Sequence, residues 1–162
     1  MKQNNKGFSL LELIVSIAIM AVLSGMLAPQ FFQYIERARE TRDMQTLHVV
    51  YTAVQAALSD DVAYEDLCGV ADAEAASADE EWVYCDTLEN VLEDGDFGKE
   101  VEELLGISGD TPLLSRKAGN GVVCVRISED GDGRINVSVY SGKESSPEKK
   151  TGSLDSVGAK WE

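Results

Sequence analysis

The sequence has few of the residue types that build catalytic or metal sites. Its 162 residues include one histidine and three cysteines, and no two cysteines form a C-x-x-C pair. Structural zinc sites use four Cys or His ligands that stand in local pairs, so this composition argues against one. No G-x-S-x-G, phosphate-loop or H-E-x-x-H motif occurs either. We therefore expect no enzymatic activity, no metal and no cofactor.

Positive charge is also scarce. The chain has 14 Lys and Arg against 29 Asp and Glu, which gives a formal net charge of −15 and a pI near 4.3. Such a surface repels nucleic acid phosphates, so we expect no nucleic acid partner. A hydrophobic content of 44% nevertheless argues against a disordered chain.

A long apolar run lies near the N-terminus. Phe8–Ala28 contains 21 residues, and Glu12 is the only charged one. This length suits a membrane span, and Lys2 and Lys6 ahead of it predict a cytoplasmic N-terminus. Met26 spoils the small-x-small site that a signal peptidase needs at the end of the run. The sequence favours a retained single-pass helix over a cleaved signal peptide.

Glu12 is the unexpected residue of this run, because an acidic side chain in a membrane helix costs about 2–3 kcal/mol even on lenient scales. A second irregularity is the pair Gly25 and Pro29. Pro29 has no amide hydrogen for the carbonyl of residue 25, four positions earlier. The pair predicts a helix break, either as a simple kink or as a segment that unwinds when the chain is packed or pulled.

Beyond Pro29 the apolar pattern changes to that of an amphipathic helix. Gln30–Leu58 contains neither glycine nor proline, and Leu47, Val50, Val54 and Leu58 repeat at helical spacing. His48 lies next to Leu47 and is interpreted as a surface or packing residue. The charged residues predicted for the solvent face are Glu36, Arg37, Arg39, Glu40, Arg42 and Asp43.

The next segment is strongly acidic. Ser59–Asp110 contains eighteen Asp or Glu residues and a single lysine. Ala71–Glu81 has low complexity and predicts a solvated loop or a weak helix. Two short helices are predicted, Leu88–Leu92 and Lys99–Leu105, and Gly106 ends the second.

From Gly121 onward the pattern alternates with period two. Runs of β-branched residues at 122–128 and 134–140 flank an Asp- and Gly-rich turn, which predicts an antiparallel hairpin. Asp130 and Asp132 in this turn also suggest calcium, but a calcium loop would need a glutamate where Val139 stands. A hairpin turn is favoured, and a cation site would have to be completed by another loop.

The cysteines leave several arrangements open. A disulfide between Cys68 and Cys85 is favoured for a segment exported from the cytoplasm. Cys124 lies in a predicted strand and is interpreted as a packed thiol. A Cys85–Cys124 bridge and three free thiols remain alternatives, since sequence does not fix connectivity.

The N-terminal stretch Lys6-Gly7-Phe8-Ser9-Leu10-Leu11-Glu12-Leu13 closely resembles the class III signal of type IV pilins and pseudopilins. The resemblance extends over about residues 1–58 and includes the basic leader, the glycine, the following phenylalanine and the glutamate four residues later. It implies an α+β fold in which a long N-terminal helix packs on a small antiparallel sheet.

On this plan the chain divides into four parts. They are a cleaved leader (1–7), a transmembrane and filament-core helix (8–29), an amphipathic helix half (30–58) and a globular head (59–162). The head would comprise an acidic αβ-loop region (59–120) and a β-sheet region (121–162).

The resemblance further implies how the chain is processed and assembled. A prepilin peptidase would cut between Gly7 and Phe8 and methylate the Phe8 amine. The subunit would wait in the cytoplasmic membrane until an assembly platform polymerises it, with copies of itself and related minor pilins, into a cell-surface pilus. Glu12 would pair with the Phe8 amine of a neighbour, as a buried polar residue sets register in a coiled coil.

Two other interpretations remain open. The chain could be a pseudopilin of a type II secretion or DNA-uptake machine, which shares the same N-terminal signal. It could also be a membrane-anchored binding module that never polymerises.

Overall fold

The computed structural model describes residues 9–71, 80–106 and 111–159. Its fold is α+β, which confirms the fold class implied by the N-terminal resemblance. The helices are α1 (Leu10–Ala57), α2 (Asp61–Val70), α3 (Leu88–Glu93) and α4 (Gly95–Leu105), with a 3-10 turn at Arg116–Ala118. The strands are β1 (Glu80–Thr87), β2 (Val122–Asp130), β3 (Ile135–Gly142) and β4 (Val157–Gly158).

Two compact units make up the chain, Met1–Arg37 and Ala38–Glu162. Helix α1 runs through both of them without interruption for 48 residues. Within the second unit, α1 buries one side because its apolar residues recur every three or four positions. The buried apolar residues of α1 are Leu47, Val50, Ala53, Val54 and Ala57.

The sheet of the head has four antiparallel strands in the order β1-β2-β3-β4. The predicted hairpin is confirmed as β2 and β3, which pair in one unbroken register that places Val125 opposite Val139. One face of this sheet and the buried side of α1 belong to a single apolar core. Its sheet residues include Val123, Val125, Ile127, Val137 and Val139.

The hairpin turn is held by Asp130. Its Oδ1 accepts hydrogen bonds from the backbone N–H of Asp132 at 3.1 Å and of Arg134 at 2.9 Å. Within the described ranges, no group of three or more His, Cys, Asp or Glu side chains is arranged to hold a metal ion. The two hydrogen bonds to Asp130 support the turn interpretation of this segment.

The acidic segment contains more regular structure than its sequence predicts. In addition to the two predicted helices it forms α2 and β1, and β1 pairs with β2 at the edge of the sheet. Helix α4 begins four residues earlier than predicted and ends as predicted at Gly106, which adopts a left-handed conformation with φ of 65°. Residues 72–79 lie outside the described residues.

Helix α4 begins early because α2 supplies its cap. The Asp66 carboxylate accepts hydrogen bonds from the N–H groups of Asp96 at 2.7 Å and Phe97 at 3.2 Å. Asp94, at the N-cap position itself, makes no side-chain cap bond. A cap supplied from another helix leaves no local pattern in the sequence.

Asp43 corrects one prediction for α1. It was placed on the solvent face, but it is 1% exposed. Its carboxylate accepts hydrogen bonds from the N–H of Leu114, at 3.0 Å to Oδ2, and from the N–H of Ser115 at 2.7 Å. Asp43 thus ties α1 to the segment that precedes the 3-10 turn.

Candidate assembly site

The first turn of α1 is closed by a capping box formed by Ser9 and Glu12. Glu12 Oε2 accepts a hydrogen bond from the Ser9 N–H at 2.9 Å, and Ser9 Oγ accepts a long one from the Leu11 N–H at 3.4 Å. Ser9 is the N-cap and Glu12 stands three residues later, which is the S-x-x-E pattern of this motif. The carboxylate is thereby given a partner inside its own chain.

This local role of Glu12 was not predicted, although its signal was present. Ser9-Leu10-Leu11-Glu12 precedes a long apolar run, which is the sequence context of a capping box. Gly7 and Phe8 lie outside the described residues. The cleavage between them, and the pairing of the Phe8 amine with Glu12, stay predictions.

The N-terminal half of α1 exposes a continuous apolar surface. An 18-residue window of this helix has a mean hydropathy of 2.4, and none of that window is buried. The helix is long and apolar enough to cross a membrane. Its large exposed apolar residues are Leu10, Leu11, Leu13, Ile14, Val15, Ile17, Ile19, Met20, Val22, Leu23, Met26, Leu27, Phe31 and Phe32.

Gly25 and Pro29 both lie inside α1, which continues past them. A Cβ atom added at Gly25 would meet no other atom within 4 Å, so packing within one chain does not require glycine there. The predicted role of the pair, a kink or a segment that unwinds, stays a prediction.

In the structure no disulfide joins Cys68, Cys85 or Cys124. Cys68 lies exposed on α2, while Cys85 on β1 is partly buried and has its Sγ 3.1 Å from the Tyr140 hydroxyl. Cys124 is fully buried in β2, as predicted for a packed thiol. Strand β1, which orients Cys85 toward Tyr140, was not predicted from the sequence, and the Cys68–Cys85 bridge stays a prediction.

Tyr140 and Cys85 form a polar pair on the sheet. Tyr140 is fully buried, and its hydroxyl donates to the Pro147 carbonyl at 2.6 Å. Since that hydrogen is committed to Pro147, the Cys85 thiol donates to the Tyr140 oxygen. Burial raises the pKa of both groups. Both side chains are therefore held in their neutral forms.

The comparisons with known proteins concern this N-terminal part of the chain. Residues 2–28 match a family described as the prokaryotic N-terminal methylation motif. This motif is shared with type IV pilins, to which the N-terminal region is similar. This confirms the family resemblance, which was based on the same residues.

Curated relatives agree with the motif. The chain is 37% identical over 60 residues to the type IV major fimbrial protein FimA of Dichelobacter nodosus, which is 37% of this chain and 38% of that protein. It is 31% identical over 62 residues to the type IV major pilin protein PilA of Myxococcus xanthus, covering 38% and 28% of the two chains. Fimbrial protein Q of Moraxella bovis is 42% identical over 53 residues, covering 33% and 34%.

The similarity spans well under half the length of these relatives. No solved structure matches the chain.

Proposed function

We propose that this protein is a structural, non-enzymatic subunit of a type IV pilus. It is made as a prepilin, cleaved after Gly7, methylated at Phe8 and polymerised into a filament on the cell surface. One observation carries the proposal: the methylation motif over residues 2–28 coincides with the exposed apolar part of α1, residues 10–28, whose single charge, Glu12, lies in the first turn of the helix.

The exposed half of α1 needs two different environments in turn. An apolar surface of this length is unfavourable in water and must be covered. Lipid covers it while the subunit is held in the cytoplasmic membrane, and the helices of other copies would cover it in the filament. A chain that only anchors a binding module would need the first environment alone.

Glu12 is suited to a change of partner between these two states. In the single chain its carboxylate accepts a hydrogen bond from the Ser9 N–H. In the filament the α-ammonium of a neighbour's Phe8 offers a charged donor instead, and charge-assisted hydrogen bonds are roughly twice as strong as neutral ones. Exchange of the local bond for the intermolecular pair would favour assembly and fix the axial register.

The proposal implies further partners. A prepilin peptidase must recognise the leader, and an assembly platform must extract the subunit from the membrane. The names of the similar proteins, major pilin and fimbrial protein, favour a pilus building block over the alternative, a pseudopilin of a secretion or DNA-uptake machine.

Mass spectrometry of the mature N-terminus tests the proposal. Expressed with its peptidase, the wild-type chain should begin with methylated Phe8. Gly7→Ala should remain an uncleaved precursor in the membrane. Electron microscopy should show wild-type filaments and none from the variant. A Gly7→Ala chain of mature length, or a wild-type chain that keeps Met1, would support a membrane-anchored module instead.

A further inference from the structure

Four exposed cations lie near one another on α1 and the 3-10 turn. Arg39 and Arg42 belong to α1, and Arg116 and Lys117 belong to the turn. All four side chains, here called the basic cluster, are exposed and lie in the second unit. Such a cluster is unexpected on a chain whose formal net charge is −15.

Contacts between α1 and the turn hold the basic cluster together. Lys117 Nζ lies 3.0 Å from Glu40 Oε2, and the buried Asp43 carboxylate accepts a hydrogen bond from the Ser115 N–H at 2.7 Å. Glu40 also lines a groove that Lys117 shares with Asp155. Four cations therefore stand against the two carboxylates of Glu40 and Asp155, and this surface keeps an excess of positive charge.

The sequence places the basic cluster next to the membrane boundary. The uncharged segment 13–35 ends with Tyr34, which is 71% exposed, and tyrosine is enriched at the interface between membrane and water. Arg39 follows Ile35 by four residues, which reach at most about 14 Å even when fully extended. The headgroup layer of a bilayer is about 5–8 Å deep. The long side chains of the cluster are therefore within reach of lipid phosphates.

We propose that the basic cluster binds the phosphates of anionic lipid headgroups in the outer leaflet of the cytoplasmic membrane. The contact would hold the second unit against the membrane before the subunit is extracted. The inference goes beyond the proposed function and needs only that α1 crosses the membrane. It can therefore fail while cleavage, methylation and polymerisation occur as proposed.

The chemistry of the cluster suits this ligand. Three of its four side chains are arginines, whose planar guanidinium groups donate paired N–H groups to phosphate oxygens. Each cation near an anionic membrane surface strengthens binding by roughly fivefold. The same surface repels residues 59–110, which carry eighteen Asp or Glu and one lysine. Attraction at the cluster and repulsion of the acidic segment would together orient the subunit on the membrane.

Native mass spectrometry of the full chain in detergent tests the choice of lipid. The micelles contain equimolar phosphatidylglycerol and phosphatidylcholine, and the ratio of their adducts is measured. The cluster variant combines Arg39→Gln, Arg42→Gln, Arg116→Gln and Lys117→Gln. The control variant removes the same charge from four other exposed positions, with Arg134→Gln, Lys143→Gln, Lys149→Gln and Lys150→Gln.

The wild-type and control chains should show at least about a fivefold higher ratio of phosphatidylglycerol to phosphatidylcholine adducts than the cluster variant. Lys2 and Lys6 are unchanged in every chain, so the difference reports on the cluster. Lysine in place of the three arginines should keep most of the preference, and all circular dichroism spectra should agree. Equal ratios in the wild-type chain and the cluster variant, or an equal fall in the control, would overturn the inference.

A second test locates the lipid without removing any charge. Photoreactive p-benzoylphenylalanine replaces Leu114, which is 45% exposed and two residues before Arg116, or Val62, which is 61% exposed on α2. The full chain is inserted into vesicles of equal parts phosphatidylglycerol and phosphatidylcholine and illuminated. An excess of phosphatidylglycerol adduct at position 114 and none at position 62 supports the inference. Lipid adducts at neither position or equally at both, or a cross-link from position 114 to a second copy, would overturn it.

Discussion

Replacing Asp43 by alanine should destabilise the head more than any substitution of an exposed acidic residue. The Asp43 carboxylate is buried against the segment before the 3-10 turn. Each of its oxygens accepts a hydrogen bond from the Leu114 N–H, at 3.1 and 3.0 Å, and Oδ2 also accepts one from Ser115 at 2.7 Å. Two backbone donors therefore depend on this one side chain.

The structure sets the magnitude of this effect. A buried donor that loses its partner costs about 1–3 kcal/mol, and Ser115 is 2% exposed. Leu114 is 45% exposed, so water can replace part of its lost bond. We expect Asp43→Ala to lower the free energy of unfolding by about 2–4 kcal/mol, and Asp43→Asn, which keeps one accepting oxygen, by about half as much.

Thermal unfolding of the full chain in detergent measures this loss of stability. The probe is Trp82, which is the only tryptophan in a Trp161→Phe background. Trp82 is partly buried, and its indole N–H donates to Glu129. The predicted loss corresponds to a fall in midpoint of roughly 10 °C. Asp132→Ala, in the exposed hairpin turn, is the control and should shift the unfolding midpoint little. Midpoints for Asp43→Ala and Asp132→Ala within about 2 °C of each other would refute the role given to Asp43.

Two further predictions concern Glu12 and the buried hydroxyl and thiol. Glu12→Ala should still be cleaved but should assemble poorly. Ser9→Ala removes only the serine side of the cap and should still form filaments by electron microscopy. A wild-type filament yield from Glu12→Ala would contradict the pairing of Glu12 with the Phe8 amine. Burial raises the pKa of Tyr140 and Cys85 above 10.0 and 9.0, so the unfolded chain releases these protons first. Stability should be complete below about pH 8 and fall as the pH rises through 9 and 10, and equal denaturant midpoints at about pH 8 and 11 would argue against this burial.

The parts of the fold that were predictable have strong local signals. The apolar run before Pro29 and the spacing of Leu47, Val50 and Val54 predict α1, and the structure buries those three residues against the sheet. The alternating residues of β2 and β3 predict the hairpin. Gly106 marks the end of α4 because few other residues adopt its left-handed conformation.

The parts that were missed depend on contacts between distant segments. β1 follows an acidic, low-complexity stretch and is fixed by its pairing with β2. Asp43 looked like a solvent-facing residue because it is charged, although it lies in phase with Leu47 and Val50 on the buried side. Its burial is acceptable because backbone donors more than 70 residues away satisfy it, and no local pattern reveals that.

The distribution of charge follows from the environments that the proposed function requires. Residues 13–35 would meet lipid and then other helices, and an uncharged stretch suits both environments. The acidic segment would stay in water and carries most of the negative charge. Glu12 is the exception: its carboxylate accepts a hydrogen bond from the Ser9 N–H in the single chain and, on the proposed function, would meet a neighbour's amine in the filament. Since that second partner would be charged, the glutamate that is costly in the membrane would become favourable in the filament.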